Sequence, residues 1–366
     1  MRVLHLNTEK TWRGGERQVL LTVIEQRRQG FDAHLACRCG APLEAAARKE
    51  NIPVISLPKF APATLAAMLR AFRKFDLLHC HSARAHSLAA LANLCCGRPV
   101  VVSRRVDFEP KKTWFNRFKY QRAAKVVCVS GFIADQMKNW GVLASRVAVV
   151  YDAVPGGDFL PREKCLERLR ERTGVTAGQR IIGNIAALVG HKDHATLLRA
   201  AKIVMAQRQD VAFVIVGEGA LKGDLLRLRS EFGLTGAVHF TGFIPQAQRL
   251  LLGFDVFAMS SCMEGLGTIV LDAGLACVPV AATAGGGLPE AVLHEQTGLL
   301  APVGDAAALA AALLRLLNDA PLADRLARAA QKRVAAEFSV ANMATRYVEI
   351  YQSLLAAPAS GKRPSA

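Results

Sequence analysis

The run Glu264-Gly265-Leu266-Gly267-Thr268-Ile269-Val270-Leu271-Asp272 has the residue types of a ligand-binding turn. It follows a strand-like stretch, Val256–Met259, and leads into a helical one. Glycines at such a turn let backbone approach a ligand closely. The helix start near Gly267, Thr268 and Ile269 offers unpaired N–H groups and a partial positive charge, which suits a diphosphate. Two carboxylates, Glu264 and Asp272, would repel a bare phosphate, so they fit a ligand that also carries hydroxyls. The plainer reading is an acidic helix start with one solvated aspartate.

Other groups point the same way. Lys192 stands just before a helical stretch, where its charge opposes the helix dipole and an anion would explain it. Arg104 and Arg105 directly follow the strand-like Val100–Ser103. His79 and His81 project to one side of a strand by alternation, and His81 lies nearer its end. Gly14 and Gly15 lie between the first strand and the first helix. Val214–Gly219 and Phe240–Ile244 are strand-to-turn segments whose glycines include Gly217 and Gly242.

These loops need a scaffold, and the chain alternates strand and helix patterns from start to finish. Strands are expected at Val3–Asn7, Ala33–Cys37, Val54–Leu57, Leu77–His81, Val100–Ser103, Val126–Ser130 and Val147–Tyr151. A second series covers Ile181–Ala187, Ala212–Val216, Val238–Thr241, Val256–Met259 and Val278–Ala281, followed by short turns at Gly298–Ala301. Such a series gives parallel sheets with helices on both faces, whose ligands lie at the carboxyl ends of the strands. The stretch 152–158 contains Pro-Gly-Gly and reads as a linker. The expected organisation is one domain over 1–158, a second over 159–341, a helix over 342–356 returning to the first, and a loose polar tail over 357–366.

The segments Glu264–Asp272 (EGLGTIVLD), Gly285–Val292 (GGGLPEAV) and Thr297–Leu300 (TGLL) occur in an order and spacing that resemble the retaining glycosyltransferases of family 4. The resemblance covers most of the chain. It implies an α/β protein of the GT-B fold, with two Rossmann-like, doubly wound parallel-sheet domains facing a central cleft. It implies sugar transfer from a nucleotide-sugar co-substrate, with retention and without a metal or other cofactor. By resemblance Glu264 holds the transferred sugar, Asp272 the ribose, and Lys192 with the amides of Gly267, Thr268 and Ile269 the diphosphate. Gly217 and Phe243 fall in the segments around the nucleobase, Gly14 and Gly15 lie against the donor, and His81 contacts the sugar. Two departures stand out. Asp272 replaces the usual Glu, and Ala187 falls where an arginine is usual, which leaves Arg104 or Arg105 to supply an anion-binding charge.

Composition sets the outer bounds. The chain has 366 residues, is 51% hydrophobic and carries a formal charge of +17. Residues 1–158 hold 25 Lys/Arg against 12 Asp/Glu, so an anionic partner is expected on that half. The nine cysteines match no zinc spacing, and no metal site is expected. The start lacks a signal-peptide core, and no run of 18 apolar residues occurs. The expected setting is therefore the cytoplasm, with peripheral contact to an anionic membrane through the basic, aromatic stretch Lys111–Lys125. The expected acceptor is a glycan or glycolipid of the cell envelope, such as lipopolysaccharide. A nucleotide-sugar epimerase of the same fold and an inert scaffold are enzymatic and non-enzymatic alternatives. A nucleic-acid-binding role is disfavoured, because aromatics are 6% and no recognition motif is present.

Overall fold

The computed structural model describes residues 1–59, 61–106 and 108–356. The expected loose tail at 357–366 lies outside the described residues. The chain forms two compact units: Met1–Ala153 together with the segment from Val340, and Val154–Ser339.

In the first unit the strands are β1 (Arg2–Asn7), β2 (Asp32–Arg38), β3 (Val54–Leu57), β4 (Leu77–Cys80), β5 (Val100–Arg104), β6 (Lys125–Cys128) and β7 (Val147–Val149). The helices between them are α1 (Gly14–Arg28), α2 (Pro42–Lys49), α3 (Ala61–Phe72), α4 (Ala83–Cys96), α5 (Trp114–Arg122) and α6 (Gly131–Trp140). The strands pair in parallel in the order β3-β2-β1-β4-β5-β6-β7. The order reverses between β1 and β4, which makes the loops after those two strands the expected ligand position. Strands such as β5 are buried throughout, as expected when helices cover both faces.

The second unit contains α7 (Arg162–Thr173), β8 (Arg180–Ile185), α8 (His194–Gln207), β9 (Val211–Val216), α9 (Lys222–Glu231), β10 (Val238–Gly242), β11 (Val256–Met259), α10 (Thr268–Leu275), β12 (Val280–Thr283), α11 (Leu288–Ala291), β13 (Leu299–Ala301), α12 (Ala306–Asn318) and α13 (Ala320–Glu337). Its parallel sheet runs β10-β9-β8-β11-β12-β13, with the reversal between β8 and β11. α13, which the sequence reading did not include, packs on α10. There Gly274 lets Ala330 and Val334 come within about van der Waals contact of its missing Cβ.

The last helix, α14 (Val340–Ala356), packs in the first unit. Met343, Tyr347 and Tyr351 recur every four residues and meet Val3, Leu77, Val101 and Val127 of the sheet. The crossover differs from the linker expected at 152–158. Asp152 and Ala153 are buried in the first unit, not in a free segment. The Gln18 amide bonds both the Ala153 carbonyl (2.7 Å) and its N–H (3.0 Å), and Asp152 pairs with Arg105. Among the described residues no single helix is long and apolar enough to cross a membrane.

Candidate functional site

In the second unit, the loops after β8 and β11 meet at the point where the strand order reverses. Lys192 ends a short 3-10 turn, and its ammonium pairs with the Glu264 carboxylate. Both side chains are largely shielded from solvent. The Ser261 hydroxyl donates to the same Glu264 oxygen at 2.7 Å. Two further bonds staple the loops, Cys262 N–H to the His191 carbonyl (2.9 Å) and Ser260 hydroxyl to the Lys192 carbonyl (2.9 Å). The lysine does oppose the helix dipole, but here its counter-charge is Glu264. Asp193, at φ +45°, caps α8 by accepting from Thr196 N–H.

The glycine turn after β12 clamps this arrangement from behind. A Cβ on Gly286 would sit 2.3 Å from the Glu264 carbonyl oxygen, and its φ is +61°. Gly287 N–H donates to that carbonyl at 2.8 Å. α10 then begins at Gly267, φ +81°, with no side-chain cap on its N-terminus. Gly267, Thr268 and Ile269 are partly exposed, so their amides can accept an anion beside the Lys192–Glu264 pair. Asp272 is buried one turn further along α10.

The turns after β9 and β10 also converge. Gly217 has φ +155°, and a Cβ there would lie 1.9 Å from the Ala186 carbonyl oxygen, so only glycine fits. Gly217 N–H donates to the Gly242 carbonyl at 3.0 Å, which places Phe243, 70% exposed, beside the β9 turn. Ala187 is exposed in the neighbouring loop.

In the first unit, Gly14 and Gly15 open α1 itself and do not precede it. The Glu16 carboxylate accepts from Arg13 N–H (2.9 Å) and from Asn7 Nδ2 (3.2 Å), and so holds the helix start against β1. His81 lies just past β4. A guanidinium can only donate, so Arg105 Nη1 at 2.9 Å makes His81 Nδ1 an acceptor. The His81 proton is then on Nε2 and is donated to His5 Nδ1 (2.9 Å), and His5 Nε2 donates to the Gln26 oxygen (2.8 Å). The Gln26 amide donates to the Tyr351 hydroxyl, which donates to His79 Nδ1 (2.6 Å). His79 Nε2 bonds the Ser103 hydroxyl (2.8 Å), Ser103 and Tyr347 share a hydrogen bond (3.1 Å), and Tyr347 also accepts from Arg105 (3.3 Å).

Burial holds all three histidines uncharged: it takes His5 down to about 4 and His79 and His81 well below the usual imidazole value, with Arg105 adding to the effect. Their nitrogens are close enough together to raise the question of a metal. Each already has a hydrogen-bond partner, and the Arg105 charge opposes a cation there.

This network bears on two expectations. Both His81 ring nitrogens are engaged by protein, so a hydrogen bond from them to a sugar would require breaking one. Arg105 does not supply a free charge in place of an arginine at position 187. Arg105 is balanced at 2.8 Å by Asp152, with both side chains about 10% exposed or less. Arg104 is buried, bonds the Phe108 carbonyl and stacks on its ring (5.1 Å). The sequence reading missed His5, Gln26, Ser103, Tyr347 and Tyr351. The alternation of His79 and His81 and the four-residue spacing of the two tyrosines were the signals available.

Residues 167–333 match the family model described as glycosyl transferases group 1, and residues 12–155 match the model for Glycosyltransferase Family 4. The 2-deoxystreptamine glucosyltransferase of Streptomyces kanamyceticus is 32% identical over 72% of this chain and 69% of its own length. This chain belongs to the GT-B glycosyltransferases. The lipopolysaccharide core biosynthesis glycosyltransferase LpsE of Rhizobium meliloti is 27% identical over 69% of each chain. A crystal structure of Anabaena HepE in complex with UDP and glucose superposes with a TM-score of 0.85 at 21% identity, covering 96% of this chain and 100% of that one. It shares the fold of this glycosyltransferase, with its two parallel-sheet Rossmann-like units.

Proposed function

We propose that this glycosyltransferase is a retaining family 4 enzyme that moves a sugar from a nucleotide-sugar donor without a metal. The observation that carries this reading is the Lys192–Glu264 pair held beside the uncapped start of α10. Donor entry would exchange partners: the diphosphate takes the Lys192 ammonium and the α10 amides, and Glu264 is released to accept from sugar hydroxyls. Fixed donors of this kind stabilise the charge that develops on the leaving diphosphate. Asp272 is assigned to the ribose, and Gly217 and Phe243 to the base. Retention rests on the sequence resemblance.

The acceptor is a cell-envelope glycan or glycolipid on this reading, supported by the likeness to LpsE. Work at the cytoplasmic face of a membrane is supported by α5 and its approach. Trp114 and Phe108 are 77% and 65% exposed there, beside the exposed Lys111, Lys112, Arg117 and Arg122. Equal sedimentation of wild type and Trp114→Ala with anionic vesicles would refute that surface.

The deciding experiment is calorimetric titration of UDP-, GDP-, ADP- and CMP-sugars, with and without EDTA, on wild type and Glu264→Ala. One base class should bind in EDTA, and turnover should fall at least a hundredfold in the variant, about 2.7 kcal/mol of lost transition-state stabilisation. Binding that requires a divalent cation, or turnover unchanged in Glu264→Ala, would overturn the assignment.

A further inference from the structure

Within the first unit, a cavity of about 310 Å³ is lined by Thr8, Glu9, Lys10, Thr11, Arg13, Arg38 and Arg84. Lys10 and Arg13 belong to the loop after β1, Arg38 ends β2, and Arg84 stands in the first turn of α4, just after β4. These are the carboxyl ends of the strands that flank the reversal in strand order, where open parallel sheets hold ligands. α1 and α4 both begin at the cavity and add the partial positive charge of their first turns.

Glu9 is the one carboxylate among the lining residues. Among the described residues none of the four cations has an ion-pair partner, and the Arg84 side chain reaches only the Lys59 carbonyl, at 3.4 Å. A concave cluster of unmatched like charges repels itself and draws in anions. A second cavity, of about 380 Å³, shares Glu9 and Arg13 and runs on to Gly15, His81 and Ser82.

We infer that Lys10, Arg13, Arg38 and Arg84 seat an anionic group of the acceptor, a phosphate or an equally dense anion carried on a hydroxylated body. The anion lies in the smaller cavity, and the body extends past Glu9 toward Gly15 and His81. The assignment of the anion to an acceptor rests on the glycosyl-transfer reading above. The anion seat itself is tested without donor, so the two can fail separately.

The test is titration of inorganic phosphate, glucose 6-phosphate and glucose into the full chain at low and high salt, by calorimetry. The proteins are wild type, Arg38→Gln/Arg84→Gln, Arg38→Lys/Arg84→Lys and Lys192→Ala. Glucose 6-phosphate should bind at least tenfold more tightly than glucose and more weakly at high salt. The glutamine pair should lose at least tenfold, and the lysine pair should keep most of the affinity. Unfolding curves without ligand show whether each variant is folded. Equal binding of glucose and glucose 6-phosphate, or unchanged affinity in the glutamine pair, overturns the inference. Loss of phosphate binding in Lys192→Ala with the glutamine pair unaffected places the anion at α10 and also overturns it.

Discussion

Replacing Asp152 by Asn leaves the Arg105 guanidinium buried with no anion beside it. The pair is 2.8 Å apart, with both side chains about 10% exposed or less. Removing one partner of a buried pair costs about 3–5 kcal/mol. Asn keeps an acceptor oxygen in place, so a loss near the lower end, about 3 kcal/mol, is expected in the first unit. In an Arg105→Met background the sign should reverse. There the Asp152 carboxylate is the unmatched buried charge, and Asp152→Asn should be neutral or stabilising. Trp12, Trp114 and Trp140 are the chain's three tryptophans and all belong to the first unit, so tryptophan fluorescence during urea unfolding follows that unit alone. With a slope of about 2–3 kcal/mol per molar urea, a 3 kcal/mol loss moves the midpoint down by about 1–1.5 M. An equal cost of Asp152→Asn in the wild-type and Arg105→Met backgrounds would refute the argument that charge balance holds this site together.

The buried histidines set a pH dependence in the same unit. His5 is depressed to about 4, and His79 and His81 further, while the unfolded chain takes up these protons near 6.5. The unfolded state therefore binds more protons below pH 6.5, and stability should fall with pH by up to about 1.4 kcal/mol per unit for each histidine, down to about pH 4 for His5. The fluorescence midpoint should be flat above pH 7 and drop between 6 and 5, and a flat midpoint across that window would contradict it. In the second unit, Gly286→Ala should weaken donor binding at least tenfold, because its Cβ would press on the Glu264 carbonyl at 2.3 Å from a strained φ. Unchanged affinity for the nucleotide sugar would show that the turn does not set the position of Glu264.

The parallel-sheet architecture was readable because fully buried strands and amphipathic helices leave different periods, and the strands matched to within a few residues. Lys192 and Glu264 were also legible, since each stands in a loop just after a strand, and the structure brings them together. The counter-charge at Lys192 was not, because it arrives from a loop 72 residues away. The same reason hid the histidine network. His5 faces His79 only because β1 pairs with β4, and nothing in local patterning says which strands are neighbours. Asp152 looked like linker because Pro155, Gly156 and Gly157 follow it, whereas its role is set by Arg105, 47 residues upstream. The basic seat likewise gathers residues from three separate segments. Arg104 and Arg105, at a strand end, drew notice instead, although Arg105 is already committed to Asp152.

The chain leaves the first unit at Ala153 and comes back at Val340, with Val154 and Ser339 bridged to each other inside the second. On the ribosome this inverts the usual order, in which the amino-terminal domain matures first. The second unit is complete once Ser339 has emerged. The first unit, though begun earlier, must wait for Tyr347 and Tyr351 to close its circuit of hydrogen bonds around His79 and Arg105. Nascent chains halted just after Ser339 would therefore carry a finished second unit and an unfinished first one, whose exposed sheet face is the surface a chaperone would meet.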